Sequence, residues 1–251
     1  MRAASESPKL PNQLVLVCHQ LRSAENLGAL ARAMANFGVS QLILSDPLTH
    51  DFRGAERLGV KGESVLRTFS VAPTLGEAMA GCVYATGTTS RRQLKRHVPL
   101  SPEAGIERLA DHAERGRVAL VLGGEKRGLS DDELALCHDV IVIPTSDEQP
   151  SLNVAQAAAV LLYLCSRVTR TPPLHVSEGA RLGTVRALEE RLKSTLLACQ
   201  FLNPQAPEHV LSELTRSLVR GHLSQREAEM WLSAFEHIRR VISTRASVDS
   251  Q

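Results

Sequence analysis

The sequence predicts an α/β protein, a mostly parallel sheet with helices on both faces, followed by a small all-helical unit. Three observations carry this. Over the first two thirds of the chain, short apolar runs bounded by turn residues alternate with helical stretches, the order that a parallel sheet requires. Hydrophobic residues make up 43% but aromatic residues only 3%, so the core must be built from Leu, Val, Ile and Ala, a palette suited to α/β packing. Beyond residue 178 the strand-like runs stop and only helical periodicity remains.

The expected strands are 14–18 (LVLVC), 41–45 (QLILS), 65–69 (VLRTF), 83–87 (VYATG), 118–123 (VALVLG) and 139–144 (DVIVIP), each short, apolar and flanked by turn residues. Between them the expected helices are 24–37, 74–79, 102–115 and 131–137, the last opened by a capping box of Ser130 and Glu133. The stretch 152–164 is apolar on almost every side, which predicts a buried helix. These elements place a main domain at 13–167 behind a flexible tail at 1–12. A linker at 168–177 carries the break Thr171-Pro172-Pro173. In the helical extension, 178–251, Leu182, Val185, Leu188, Leu192 and Leu196 repeat at helical spacing, as do Val210, Leu211, Leu214 and Leu218. Ser224 and Glu227 form a second capping box there, before a helix at 231–242.

Net charge is +2, too mild to name a nucleic-acid partner, so local clustering has to decide. The five cysteines are odd in number and contain no CxxC pair, which argues against a disulfide framework or a zinc knuckle and fits a reducing cytoplasm. No apolar run approaches the roughly 20 residues needed to span a bilayer, and the N-terminus lacks the apolar core of a signal peptide.

Four stretches could carry chemistry. In SAENLGALARAM, Asn26, Gly28 and Arg32 open and line a helix, and Asn26 and Arg32, close to two turns apart, are expected to share a face; a capped helix with a solvated arginine reads the same residues more plainly. ATGTTSRRQLKRH ends a strand and then sets Arg91, Arg92, Lys95 and Arg96 within six residues without an acid, a pattern suited to phosphate contacts or to a solubilising loop. VLGGEKRGLS places Gly123 and Gly124 at a strand end, then Glu125 and Gly128; this turn could cradle a nucleoside or only need positive φ. It matches neither GxGxxG nor a P-loop, which argues against an NAD-dependent oxidoreductase or an NTP site. The fourth is Ser151-Leu152-Asn153, a polar head on the apolar helix, behind a loop bracketed by Pro144 and Pro150. Ser151 is a good helix cap, and a cap leaves Asn153 unexplained.

In this order the stretches resemble the three motifs of SPOUT-superfamily (TrmH/SpoU-like) RNA ribose 2′-O-methyltransferases. Asn26-x-Gly28-x-x-x-Arg32 is similar to the first, Gly123 to Leu129 to the second, and Ile143-Pro144 with Ser151-Leu152-Asn153 to the third. The resemblance covers 13–167, and the extension is similar to that of the TrmJ-type tRNA methyltransferases. It implies a sheet whose C-terminal part is tied in a trefoil knot, a feature pattern reading alone would not suggest because knots are almost absent among folds. It also implies S-adenosyl-L-methionine as cofactor, no metal, tRNA as substrate with methylation at anticodon-loop nucleotide 32, and a homodimer. In the dimer, Ala155, Ala157, Ala158 and Ala159 would pack on the second subunit. Ribosomal RNA as substrate, or a silent RNA-binding scaffold on the same fold, are the alternatives.

The resemblance implies Arg32, Asn26, Glu125, Ser151 and Asn153 as catalytic residues. It implies Thr86, Gly87, Thr88, Leu122, Gly123, Gly124, Glu125, Gly128, Ile143, Pro144, Ser151 and Leu152 around the cofactor, and Arg91, Arg92, Lys95 and Arg96 on RNA. A guanidinium is a poor general base in water, so Arg32 is expected to grip the adjacent phosphate and polarise the hydroxyl, with action as the literal base as the alternative. Asp147 and Glu148 before Ser151 depart from the family pattern, and two acids beside an RNA site weaken phosphate binding.

Overall fold

The computed structural model describes residues 10–49, 51–168, 178–205, 207–220 and 223–248. The chain divides into two compact units, 1–176 and 177–251. Apart from Val168, the expected linker lies outside the described residues.

Among its described residues the first unit holds six strands: β1 (Leu14–His19), β2 (Gln41–Ser45), β3 (Ser70–Ala72), β4 (Tyr84–Thr89), β5 (Val118–Gly123) and β6 (Asp139–Val142). They form one parallel sheet in the order β3-β2-β1-β5-β4-β6. β1 is buried at every residue and β5 at all but its last, as strands covered on both faces must be. Its helices are α1 (Leu10–Gln13), α2 (Ala24–Asn36), α3 (Ala55–Leu58), α4 (Glu63–Thr68), α5 (Leu75–Met79), α6 (Pro102–Ala113), α7 (Asp131–Leu134) and α8 (Val154–Arg167). α8 packs against α2 and α6, and α5 against β1 and β2. No helix among the described residues is long and apolar enough to cross a membrane.

Three expectations need correction. Residues 65–69 are not a strand: Val65 and Phe69 stand four apart, the spacing of one helical face, and the Phe69 N–H donates to the Val65 carbonyl at the end of α4. The strand lies just beyond, at Ser70–Ala72. The tail expected to reach residue 12 gives way earlier, because Leu10 is buried in the core and α1 packs on α8. α8 is apolar but one-sided. Val154, Ala155, Ala158, Leu161, Leu162 and Cys165 are buried, whereas Val160 and Tyr163 are exposed. Ala155 and Ala158 therefore serve the chain's own core, and the exposed apolar face lies elsewhere on the helix.

The connection leaving β1 runs to β2, on one side, and the connection leaving β5 runs to β6, on the other. The crevice between the carboxyl ends of β1 and β5 is thus the topological switch point, where open α/β sheets place their sites.

The second unit contains α9 (Leu182–Ala198), α10 (Glu208–Arg220) and α11 (Gln225–Val248). Leu192, Leu202 and Leu211 form its core, with Leu196, Leu214, Leu218 and Phe235 against them. The Ser224 and Glu227 box is present, with the Ser224 N–H donating to Glu227 and the Glu227 N–H to Ser224 Oγ. It opens α11 at Gln225, six residues before the expected start.

Candidate active site

Three segments far apart in the chain meet at the switch point. Glu125, just past β5, accepts three bonds: from the backbone N–H of Arg22 (3.0 Å), from that of Ser23 (3.1 Å) and from Asn26 Nδ2 (2.8 Å). Partial burial pushes the Glu125 carboxyl up, but these donors outweigh it and hold its pKa below the ordinary value. Because a carboxylate only accepts, Asn26 must turn its amide nitrogen toward Glu125. Its Oδ1 then faces the third segment and accepts from Asn153 Nδ2 at 2.9 Å. Asn153 Oδ1 remains for the first turn of α8, where it accepts from the Ala155 N–H at 2.8 Å. Glu125, Asn26 and Asn153 thus form one polar relay whose orientation is fixed from the carboxylate outward.

The relay explains why a polar cluster heads so apolar a helix. The N-cap of α8 is Asn153, in a capping box with Gln156, and not Ser151, which is exposed. The Asn153 side chain caps the helix and donates to Asn26 at once.

Glycines let the loops close. A Cβ on Gly124 would lie 2.2 Å from the Gln20 carbonyl oxygen, and one on Gly123 would lie 2.3 Å from the Gly128 carbonyl carbon. Positive φ falls at Gly128 (67°) rather than at either of them. On the β1 side stands a network that no sequence pattern announced. His19, buried at the end of β1, bonds Ser45 Oγ through Nδ1 (3.1 Å) and Glu133 Oε1 through Nε2 (2.9 Å). Arg127 donates to both Glu133 oxygens and to Gln20 Oε1. Gln20 and Asp46 both hold positive φ, 56° and 45°, and Gln20 Nε2 donates to Asp46 Oδ2. Such backbone is kept only where surrounding bonds over-determine it.

Burial pushes the Glu133 carboxyl up, but Arg127, the Ser130 N–H and His19 bring its pKa down to about 2 from an ordinary 4.5. With the folded value depressed, the stabilisation is complete above about 4.5 and is lost as pH falls toward 2. The melting temperature of the wild type is therefore expected to fall more steeply with acid across that window than that of Glu133→Gln. Parallel curves would contradict the assignment.

Residues 13–163 match the SpoU rRNA Methylase family. The chain belongs to that family. This methyltransferase is 34% identical over 212 residues to the tRNA (cytidine/uridine-2′-O-)-methyltransferase TrmJ of Klebsiella pneumoniae, covering 80% of this chain and 86% of that protein. The TrmJ of Yersinia enterocolitica is 34% identical over 211 residues, covering 80% and 82%. Among solved structures, TrmJ from Z. mobilis ZM4 superposes with a TM-score of 0.73 at 26% identity, covering 92% of this chain and 98% of that one. A methylase family protein from Neisseria gonorrhoeae gives 0.65 at 25%, covering 76% and 99%.

Other expected site residues of the methyltransferase fall unevenly. Arg32 lies on α2 but about a third of a turn round from Asn26, since six residues are ~1.7 turns. It is exposed, makes no hydrogen bond or ion pair among the described residues, and does not share the relay's face as expected. Thr86 and Gly87 are buried inside the sheet, laddered to β5 on one side and β6 on the other, which removes their backbone from a ligand. Thr88 lies at the edge of that region, its hydroxyl donating to the Val121 carbonyl. There the β4–β5 ladder stops, at Gly87 and Val121, while the β1–β5 ladder runs on to His19 and Gly123. The ends of β4 and β5 part beside Leu122 and Gly123, and Ile143, Pro144 and Leu152 follow β6 in the chain.

The cation run is not free of acids in space. Arg91 donates to Asp131 and, at 2.9 Å, to the Leu129 carbonyl; Lys95 pairs with Asp131 and Arg92 with Asp147. Arg96 alone of the four has no partner among the described residues. Arg91 is thus a strut that holds the start of α7 as well as a positive charge.

Proposed function

We propose that this methyltransferase transfers the methyl group of S-adenosyl-L-methionine to a ribose 2′-hydroxyl of tRNA, at anticodon-loop nucleotide 32, and that it works as a cytoplasmic homodimer. The observation that carries the reading is the relay from Glu125 through Asn26 to Asn153, which joins all three segments of the resemblance at the switch point. The TrmJ relatives support tRNA over ribosomal RNA. Val160 and Tyr163, exposed on α8, support a second copy as the cover of that face. The domain bounds that go with this reading are 13–167 for catalysis and 178–251 for an RNA-contacting extension.

The residues present fit the cofactor. Where β4 and β5 part, the backbone at Leu122 and Gly123 has no β4 partner to satisfy it, and Leu152 offers 37% of its surface as an apolar wall. Leu122, Gly123, Gly124, Gly128, Ile143, Pro144 and Leu152 would hold it, with Thr88 at the edge. When bound, it supplies an electrophilic methyl group on a sulfonium. The chain's own work is positioning, which can supply a large part of the barrier reduction. The relay fixes the mouth of α8 and its neighbour Ser151 against α2. Arg32, unpaired and exposed, grips the phosphate beside the ribose and polarises the hydroxyl, so that phosphate or water takes the proton.

The test is to incubate the protein with labelled S-adenosylmethionine and total tRNA and rRNA, then map the labelled ribose. Label in a tRNA anticodon loop supports the reading, and label confined to rRNA overturns its substrate. Arg32→Ala is expected to lower transfer at least ~100-fold, the scale of a lost transition-state donor, while cofactor binding by calorimetry is unchanged. Near-normal turnover would refute its role.

A further inference from the structure

Beside the first turns of α2 lies an open cleft of about 690 Å³ that none of the steps above uses. Its apolar wall is Leu27, Leu66, Phe52 and Phe69, the two rings meeting edge to face with centroids 5.5 Å apart and planes at 81°. Asp51, Arg53 and Glu56 form the polar lining. The volume is within the range of small-molecule sites, about 300–1,000 Å³.

The cleft is locked to the helix that carries Asn26 and Arg32. Leu27 follows Asn26 directly. The segment carrying the other walls crosses α2 so closely that a Cβ on Gly28 would sit 2.1 Å from the Ala55 carbonyl oxygen. One on Gly62 would sit 2.7 Å from the Ala31 carbonyl carbon and 2.9 Å from the Arg32 nitrogen. At the other end, a Cβ on Gly54 would meet Ala24 Cβ at 3.4 Å. The cleft thus flanks the helix on which Asn26 and Arg32 stand.

The chemistry of the lining selects among the parts of an RNA strand. A phosphate is disfavoured, because two of the three polar residues are acids. The third, Arg53, is already held by Asp51, from Nε at 2.9 Å and from Nη2 at 2.7 Å. An uncharged planar ring suits the cleft better. The phenylalanines offer it a stacking surface, Glu56 accepts from an exocyclic amine or ring N–H, and the Arg53 N–H groups that Asp51 leaves unused donate to a ring carbonyl. We propose that this cleft binds a nucleobase of the substrate RNA beside the methylated ribose. The proposal rests on the function proposed above and adds a subsite to it.

The experiment uses a tRNA anticodon stem-loop in which each base flanking the methylated nucleotide is made abasic in turn, with wild type, Phe52→Ala and Phe52→Tyr. RNA affinity is read by fluorescence anisotropy and cofactor affinity by calorimetry. One abasic position is expected to weaken wild-type binding ~10-fold or more, the loss of one stacked base. Phe52→Ala should weaken binding of intact RNA similarly, show no further loss on that abasic RNA, and leave cofactor affinity unchanged, while Phe52→Tyr restores binding. Losses that multiply, or a folded Phe52→Ala that binds intact RNA as tightly as wild type, overturn the proposal. Should Phe52→Ala not fold, the exposed Arg53→Ala takes its place in the same cycle. Wild type that methylates RNA without this coupling overturns the cleft alone; wild type that methylates no RNA overturns the proposed function and the cleft with it.

Discussion

Glu125→Gln is expected to lower methyl transfer ~100-fold, the cost of misplacing reacting groups by about an ångström, in a protein that stays folded. The carboxylate faces only donors: Oε1 accepts from Ser23 and Asn26, and Oε2 from Arg22. An amide in its place must turn an NH2 toward one of them. If it faces Arg22, a backbone N–H loses its acceptor. If it faces Asn26, that side chain has to rotate, and its nitrogen then confronts Asn153 Nδ2 where an oxygen stood. Either outcome breaks the series of bonds that orients the two amides, while the donors left over are exposed and can turn to water. The single-turnover rate should therefore fall far more than the melting temperature. A rate within a few-fold of wild type would show that the relay does not position the reaction.

Gly124→Ala is expected to lower the melting temperature by about 5–10 °C and to lower transfer by at least as much as Glu125→Gln. The added methyl would sit 2.2 Å from the Gln20 carbonyl oxygen and 3.0 Å from that of His19. Both are backbone atoms, and Gln20 is held by bonds to Ser45 and Asp46. Neither can swing aside as a flexible side chain would, so the loops after β1 and β5 must part. That separation also pulls Glu125 from the Arg22, Ser23 and Asn26 donors. Differential scanning calorimetry checks the first effect and the transfer assay the second; a normal melting temperature would contradict the close packing at this crevice.

The centre of the sheet was legible because β1 and β5 are buried on both faces and read as continuous apolar runs. The miss at 65–69 came from a run too short for periodicity to separate strand from helix. Val65 and Phe69 carried the helical spacing, but only one turn of it. The N-cap of α8 is readable as well: Asn153 with Gln156 three residues on is a capping box, in competition with the cap signal of Ser151. Other features could not be read locally. Asp131 and Asp147, which neutralise three of the four cations, stand 40 and 55 residues away from Arg91 and Arg92, and only the fold brings them together. The positive φ of Gln20 belongs to a residue with no marked preference for it, and it is imposed where β1 and β2 end; Asp46 is of a type that tolerates that region. Asn26, Glu125 and Asn153 were found as separate motif positions. That a carboxylate at one end orients two amides in series is a fact of geometry.

The central claim is that these three residues act as one unit, and a double-mutant cycle on Glu125→Gln and Asn153→Ser tests it most directly. Serine keeps a capping oxygen for α8 but is too short to replace the bond to Asn26. Single-turnover methyl-transfer rates at saturating cofactor would be measured for wild type, each single variant and the double. The expected result is a double variant no slower than the slower single, because either change already breaks the relay. Losses that multiply would mean that the two residues work independently, and the account of the site would fall.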